Sequence, residues 1–217
     1  GWSYKLEKIQ CKTNWYFMSY KNQLVLTGEI DDVGAPIREN SGKSYRHGLE
    51  IESLVGLSDK ISINANISLS ENKNINYVTS FDGEIVNLGD TKISFSPKLI
   101  SYIGLMYTPS EKLYLSFLNK HIGKQYMSNT EAQLSKLESY TVSDLNLIYK
   151  LKDTLFFSEI IVSAMINNLF NIEYVSNGYY YTYDDTWSDI NNTTTIEGTG
   201  YYPQAKRNYL LGISMKF

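Results

Sequence analysis

The stretch Ile61-Ser62-Ile63-Asn64-Ala65-Asn66-Ile67-Ser68-Leu69-Ser70 decides the fold class. Every odd position is apolar, and every even position is Ser or Asn. Successive side chains of an extended chain point to opposite faces, so the segment reads as a strand with one apolar and one polar side. Working outward, the same period of two returns. Leu49 and Ile51 alternate with Glu50 and Glu52, while Leu145, Leu147, Tyr149 and Leu151 alternate with Asp144, Asn146 and Lys150. At the C-terminus Tyr209, Leu211, Ile213, Met215 and Phe217 alternate with Asn208, Leu210, Gly212, Ser214 and Lys216. Further strands are expected at Leu99 to Tyr107, from Leu113 to Phe117 and at Ile160 to Ile166. A long extended stretch from about Ile9 to Ile30 carries Tyr16, Met18, Tyr20, Leu24 and Leu26 in one parity. The longer segments lack a 3.6-residue stripe, so the expectation is all-β with eight strands and little helix.

Composition narrows the class. The chain has 217 residues, 42% hydrophobic and 20% charged, with four prolines, which excludes collagen, low-complexity disorder and coiled coil. A net charge of −3 without a basic stripe gives no support to a nucleic-acid partner. The lone Cys11 rules out an internal disulfide framework and a cysteine-based zinc site. No uncharged apolar run reaches the roughly 18–20 residues of a membrane helix, which says nothing against a barrel of alternating strands. The chain opens Gly1-Trp2-Ser3 without an initiator methionine, as a processed chain or a piece of something longer does.

One two-faced strand fits a soluble sandwich as well as a membrane barrel. The connections separate the two. Short ones are expected at Gly56-Leu57-Ser58-Asp59, Thr108-Pro109-Ser110-Glu111 and around Lys152-Asp153-Thr154, and long polar ones at about 31–43, 72–97, 127–139 and 173–204. Short and long alternate strictly, as in an antiparallel up-and-down barrel with tight turns at one end and long loops at the other. Pro36, Pro97, Pro109 and Pro203 fall in loops or turns, where a missing N–H breaks no ladder. Many of the 19 tyrosines flank strand ends, where an amphipathic ring suits a membrane–water interface.

With these pieces in place a family resemblance emerges. Val162 to Tyr174, VSAMINNLFNIEY, resembles the strand before the last extracellular loop of TonB-dependent outer-membrane receptors. Tyr201 to Phe217, with Pro203, Arg207 and the terminal Phe217, resembles their closing strand. Lys43 to Glu52 is similar to an R-x-G-x-E strand of that barrel, and Leu137 to Leu145 and Trp15 to Leu24 are similar to two others. The resemblance implies a 22-stranded barrel with an N-terminal plug and a segment that engages TonB. Residues 1–217 would then be the last eight strands, with the plug absent: a transmembrane β-barrel segment expected as an open, curled sheet.

What the resemblance implies for function is uptake of a scarce nutrient, such as an iron–siderophore complex or a vitamin B12-like corrinoid, across the outer membrane of a Gram-negative bacterium. The expected partners are outer-membrane lipid, the TonB complex through the missing N-terminal part, the barrel-assembly machinery and an extracellular small-molecule ligand. Glu50, Glu52, Asp144, Asn146 and Lys150 are expected to face the lumen, because charge on the lipid face costs about 2–4 kcal/mol for Lys or Arg at the midplane. Tyr179, Tyr181, Tyr183 and Trp187 in the last loop are the candidate ligand contacts, since rings give large contact area at low entropic cost. Phe217 is expected to be the address read by the barrel-assembly machinery. Asp184, Asp185 and Asp189 lack the spacing of a calcium loop, and His47 and His121 are expected on strands that are not neighbours. No hydrolase or phosphate-binding motif occurs, so neither an enzyme nor a resident metal or cofactor is expected. The alternatives are a complete eight-stranded adhesin or structural barrel, which would pair its first and last strands, an outer-membrane enzyme, or a glycan importer of the same superfamily.

Overall fold

The structure, a computed structural model, describes residues 1–31, 33–154, 156–189 and 191–217. The elements run β1 (Trp2–Lys5), β2 (Ile9–Ile30), β3 (Pro36–Gly56), β4 (Ile61–Ile75), β5 (Val78–Phe81), β6 (Glu84–Asn87), β7 (Thr91–Lys92), β8 (Leu99–Ser110), β9 (Leu113–Ile122) and β10 (Gln125–Tyr126). After a single 3-10 turn at Gln133–Ser135 follow β11 (Lys136–Leu137), β12 (Tyr140–Thr154), β13 (Phe157–Asn167), β14 (Val175–Asp185), β15 (Thr194–Pro203) and β16 (Asn208–Lys216). β2, β3, β4, β8, β9, β12, β13 and β16 pair in that order as one antiparallel meander, the eight strands that the alternation predicts.

Register carries each face straight across the sheet. Trp15, Leu49, Leu69 and Leu99 stand in one row, and Leu115, Leu147, Ala164 and Leu211 in another. The opposite face carries Asn14, Glu50 and Ser68 in one row and Lys12, Glu52 and Asn66 in the next. A slip of one residue would exchange the faces wholesale, so the alternating pattern itself holds the register. The polar face is the hollow one. A cleft of about 620 Å³ is lined by Lys12, Asn14, Glu50, Glu52, Asn66 and Ser68.

The sheet is open. β16 pairs with β13, and among the described residues no ladder joins it to β1 or β2. β1 lies antiparallel along part of the other edge of β2, from Trp2–Thr13 to Lys5–Gln10. The closed eight-stranded barrel is therefore not the structure of this chain.

Four local expectations need correction. Pro36, Pro109 and Pro203 stand at the ends of strands β3, β8 and β15, and not in loops or turns. The segment 31–43 is mostly strand, since β2 and β3 run on as a ribbon of 22 and 21 residues that pairs as far as Ile30 with Pro36. Within that ribbon the shared parity of Tyr16, Met18, Tyr20, Leu24 and Leu26 does not hold. Tyr16 and Met18 line the hollow face with Arg46, yet Leu24 and Leu26 are exposed while Val25 and Thr27 are buried. Asn22 stands between them in the left-handed region (φ 56°), which asparagine tolerates better than most residues. The last correction is at Lys152-Asp153-Thr154, where β12 continues to Thr154; residue 155 lies outside the described residues.

The buried interior sits in the connections. Among the described residues Val25, Tyr77, Ile93, Met127 and Leu137 are the buried apolar side chains, all at one end of the meander, while Trp15, Leu211 and Ile213 stay exposed on its apolar face. That end is knit by polar groups as well. Asn129, fully buried, donates through Nδ2 to the Leu26 carbonyl (2.9 Å) and accepts at Oδ1 from the Ser94 amide (2.9 Å) and from Asn74 Nδ2 (3.3 Å). One side chain thus ties β2, β4 and the segment after β7 together. Lys92 and Glu131 pair at 2.9 Å beside it.

Candidate ligand-binding site

The last connection is a hairpin, β14 against β15, joined to the meander by one parallel bridge between Thr182 and Glu29. Alternation puts Tyr179, Tyr181 and Tyr183 on one side of β14. Tyr179 and Tyr181 stack with centroids 6.3 Å apart, and Tyr202 tilts against Tyr179 at 6.0 Å. Each of the two stacked rings covers a glycine on β15. A Cβ on Gly198 would stand 2.3 Å from the Tyr181 ring, and one on Gly200 would stand 2.4 Å from Tyr179. Glycines opposite tyrosines let the rings lie flat on the backbone, so this part of the ladder is spent on the hairpin itself.

The outer end of the ladder faces elsewhere. Tyr183 and Trp187 stack at 6.3 Å with planes 10° apart, and Trp187 remains 74% exposed. Together with Glu29, Ile30, Asp31, Ser80 and Asp184 they line a cleft of about 490 Å³. The four aromatic candidates are thus divided into two pairs with different surroundings. Burial raises the Glu29 pKa above the ordinary carboxylate range, and the charges of Asp184 and Glu39 push it in the same direction. Three carboxylates around an aromatic wall make the cleft electronegative. Burial, and then the hydrogen bond to Glu197, raise the Tyr180 hydroxyl on the other side of the hairpin.

Glu29, Asp31 and Ser80 did not stand out in the sequence. Glu29 and Asp31 come from the tip of the first ribbon and Ser80 from the β5–β6 hairpin, which Asp82 fastens to Thr195 by two 2.7 Å hydrogen bonds. The acidic run Glu29-Ile30-Asp31-Asp32 was the available signal, but no local pattern says that it meets a loop some 150 residues later. The aspartates of the last connection are used one by one, Asp184 across the hairpin and the other two in local turns. Asp184 accepts from the Thr195 hydroxyl, Asp185 from the amides of Trp187 and Ser188, and Asp189 from the Asn191 amide and Asn192 Nδ2.

Those turns carry a pH dependence. Hydrogen bonds from Ser188 hold the Asp185 carboxyl below its usual pKa, and those from Asn191 and Asn192 do the same for Asp189. A carboxyl whose folded pKa is depressed contributes stability above its unfolded value, about 3.9, and loses it as pH falls through the folded one. Acidification below about pH 4 should therefore release the hydrogen bonds at Asp185 and Asp189 and unstack Trp187. The check is the emission difference between the protein and its Trp187→Phe variant, which should change on acidification and recover on return to neutral pH. An unchanged difference spectrum down to about pH 2 would contradict this.

Glu50, Glu52 and the polar residues beside them share the face that lines the cleft. Asn14 Nδ2 donates to Glu50 at 3.2 Å, Lys12 pairs with Glu52 at 3.8 Å, and Asn146 Nδ2 donates to Ser116 at 3.4 Å. Register places Asp144, Asn146 and Lys150 on the same side, with Lys150 Nζ 4.7 Å over the Tyr114 ring. Asp144 also serves its own strand end, accepting from the Asn168 amide at 2.8 Å. Asn168, left-handed at φ 51° and buried, bonds the carbonyls of Ile172 and Ala205 and ends β13. His47 lies on β3 and His121 on β9, which are not adjacent. Phe217 packs against Phe157 at 4.9 Å.

Comparison with known proteins fits this geometry. A family model described as TonB dependent receptor-like, beta-barrel, matches residues 1–169. No curated protein matches the chain. Among solved structures, the siderophore receptor PiuA from Acinetobacter baumannii superposes with a TM-score of 0.66 at 16% identity, over 98% of this chain and 26% of its own. The copper transporter OprC gives 0.67 at 16% identity, over 99% and 30%. The ferric yersiniabactin uptake receptor FyuA from Yersinia pestis gives 0.62 at 14%, over 97% and 28%. At such identities the likeness concerns the fold, and the chain spans less than a third of each of these proteins.

Proposed function

This chain belongs to the TonB-dependent receptor-like β-barrel family, and we propose that it forms the C-terminal wall of a nutrient receptor in the outer membrane of a Gram-negative bacterium. The observation that carries the reading is the open, two-faced meander whose connections knit into one layer at a single end. In the whole receptor the two free edges join the remaining strands, which satisfies backbone groups that would otherwise cost several kcal/mol each in lipid. The apolar face meets lipid. Glu50, Glu52, Asn146 and Lys150 line a water-filled lumen and meet the plug, and TonB acts through that plug on the periplasmic side.

Ligand is taken up at the knit end, where Tyr183 and Trp187 offer stacking area in an electronegative cleft. Such a cleft favours a ligand of neutral or positive net charge, such as a neutral iron chelate or a corrinoid, over a polyanionic complex. In cells that depend on the whole receptor, replacing both Tyr183 and Trp187 by alanine should weaken uptake at limiting ligand about tenfold at unchanged receptor level. Uptake equal to wild type would sink the assignment of this cleft.

Phe217, at the end of the alternating closing strand, is the address for barrel assembly in the same reading. Deleting it should lower the amount of heat-modifiable receptor in the outer-membrane fraction. A normal amount would overturn that role.

A further inference from the structure

The apolar face of the meander changes character row by row towards the knit end. Trp15, Leu49, Leu69 and Leu99 form the last wholly apolar row across β2, β3, β4 and β8. One step further, about 7 Å along the strands, stand Phe17, His47 and Glu71. Phe17, Tyr45 and His47 form a ring cluster with centroids 5.6–6.5 Å apart. Then come Tyr45 beside Lys73, and Lys21 opposite Lys43. Lys73 and Lys98 both reach Glu71, at 3.5 and 3.6 Å. Lys21, Lys43 and Lys98 are exposed.

We propose that Lys21, Lys43, Lys73 and Lys98 form a docking surface on the outside of the barrel for the phosphate-bearing headgroups of membrane lipid. The proposal rests on the outer-membrane reading above and specifies which groups of the membrane this face engages. Depth supplies the first argument. Aliphatic side chains, then an aromatic cluster, then ammonium groups follow in successive rows, the order in which a bilayer passes from hydrocarbon through interface to headgroup.

Charge supplies the second. Along the outward rows of β2, β3 and β4 up to these lysines, Glu71 is the one acid among the described residues, and Asp90 adds a further negative charge beside Lys73. Four ammonium groups against two carboxylates leave the patch cationic in a chain whose net charge is −3. Glu71, held between two lysines, keeps their ammonium groups together. The stacked rings beneath them are the apolar support that a headgroup's glycerol or sugar backbone packs on. A lysine is a compact point charge suited to phosphate, and each one near an anionic surface adds to the attraction.

The test uses the complete receptor, purified in neutral detergent and titrated with phosphatidic acid while adducts are counted by native mass spectrometry. Wild type should retain phosphatidic acid at least about tenfold better than the variant with all four lysines changed to glutamine. The matching set of Lys→Arg changes should retain it, and Lys120→Gln, on the opposite face, should behave as wild type. Diacylglycerol should not be retained, and inorganic phosphate should not compete at equal concentration. Equal retention by wild type and the glutamine variant, or equal binding of free phosphate, would overturn the proposal. Heat-modifiability of every variant in the outer-membrane fraction is followed in parallel. Its loss in wild type would overturn the outer-membrane reading itself, a separate outcome.

Discussion

Replacing Leu147 by arginine should lower the unfolding free energy of the receptor in lipid vesicles by about 2–4 kcal/mol, whereas Ile148→Arg should change it by less than about 1 kcal/mol. The two residues are sequence neighbours on β12, both apolar, and the pleat sends them to opposite faces. Leu147 stands in the middle of the outward row with Leu115, Ala164 and Leu211. An arginine there meets hydrocarbon and has no paired charge. Ile148 stands opposite Tyr114 and Ser163 on the hollow face, where an arginine finds water. Both substitutions put the same arginine into adjacent positions of one strand, so a difference of this size reports the face. Denaturant unfolding followed by tryptophan emission reads it, and equal costs at both positions would mean that the apolar face does not meet lipid.

Asn129→Ala should loosen the layer of connections and leave the meander intact. The alanine removes the partner of the Leu26 carbonyl and of the Ser94 amide, both part-buried, and leaves the buried Asn74 amide group only its bond to the Thr91 hydroxyl. A buried group that loses its partner costs about 1–3 kcal/mol, so a local loss of about 2–4 kcal/mol is expected once the site relaxes. At one decade per 1.4 kcal/mol, amide exchange at Ser94 should accelerate by about 30- to 1,000-fold. Exchange in the ladder between β4 and β8, away from this knot, should not change. If the Ser94 amide kept its protection, the connections would be held by something other than Asn129. Uptake should fall together with the protection, since the cleft of Tyr183 and Trp187 borrows Glu29 from the same β2 ribbon.

The strands were legible because a half-buried sheet enforces a period of two along each of them. The alternation at Ile61 to Ser70 names its face without knowledge of any neighbour, and the same holds for Leu145 to Leu151 and Tyr209 to Phe217. The first ribbon was misread where one residue departs from the pleat: Asn22 in the left-handed region re-aims Val25 and Thr27 inward, and no local composition announces that. The tyrosine-rich hairpin was legible as a candidate, but the division of its rings was not. Gly198 and Gly200 take Tyr181 and Tyr179 out of the open cleft, and that follows from cross-strand register. The segments 72–97 and 127–139 read as polar loops because buried polar residues such as Asn74, Asn129 and Ser135 look in sequence like solvated ones.

The sequence by itself therefore determined the fold class, the eight strands of the meander, the two faces and the end at which the long connections gather. Side-chain alternation is a local property of extended chain, and it is written residue by residue. Tertiary structure alone decided that Asn129 ties three segments, and that Glu29 and Asp31 meet Tyr183 and Trp187. Those outcomes depend on contacts between residues tens to more than a hundred positions apart. Their chemistry, a buried amide or a carboxylate near a ring, leaves no period in the chain that could be read beforehand.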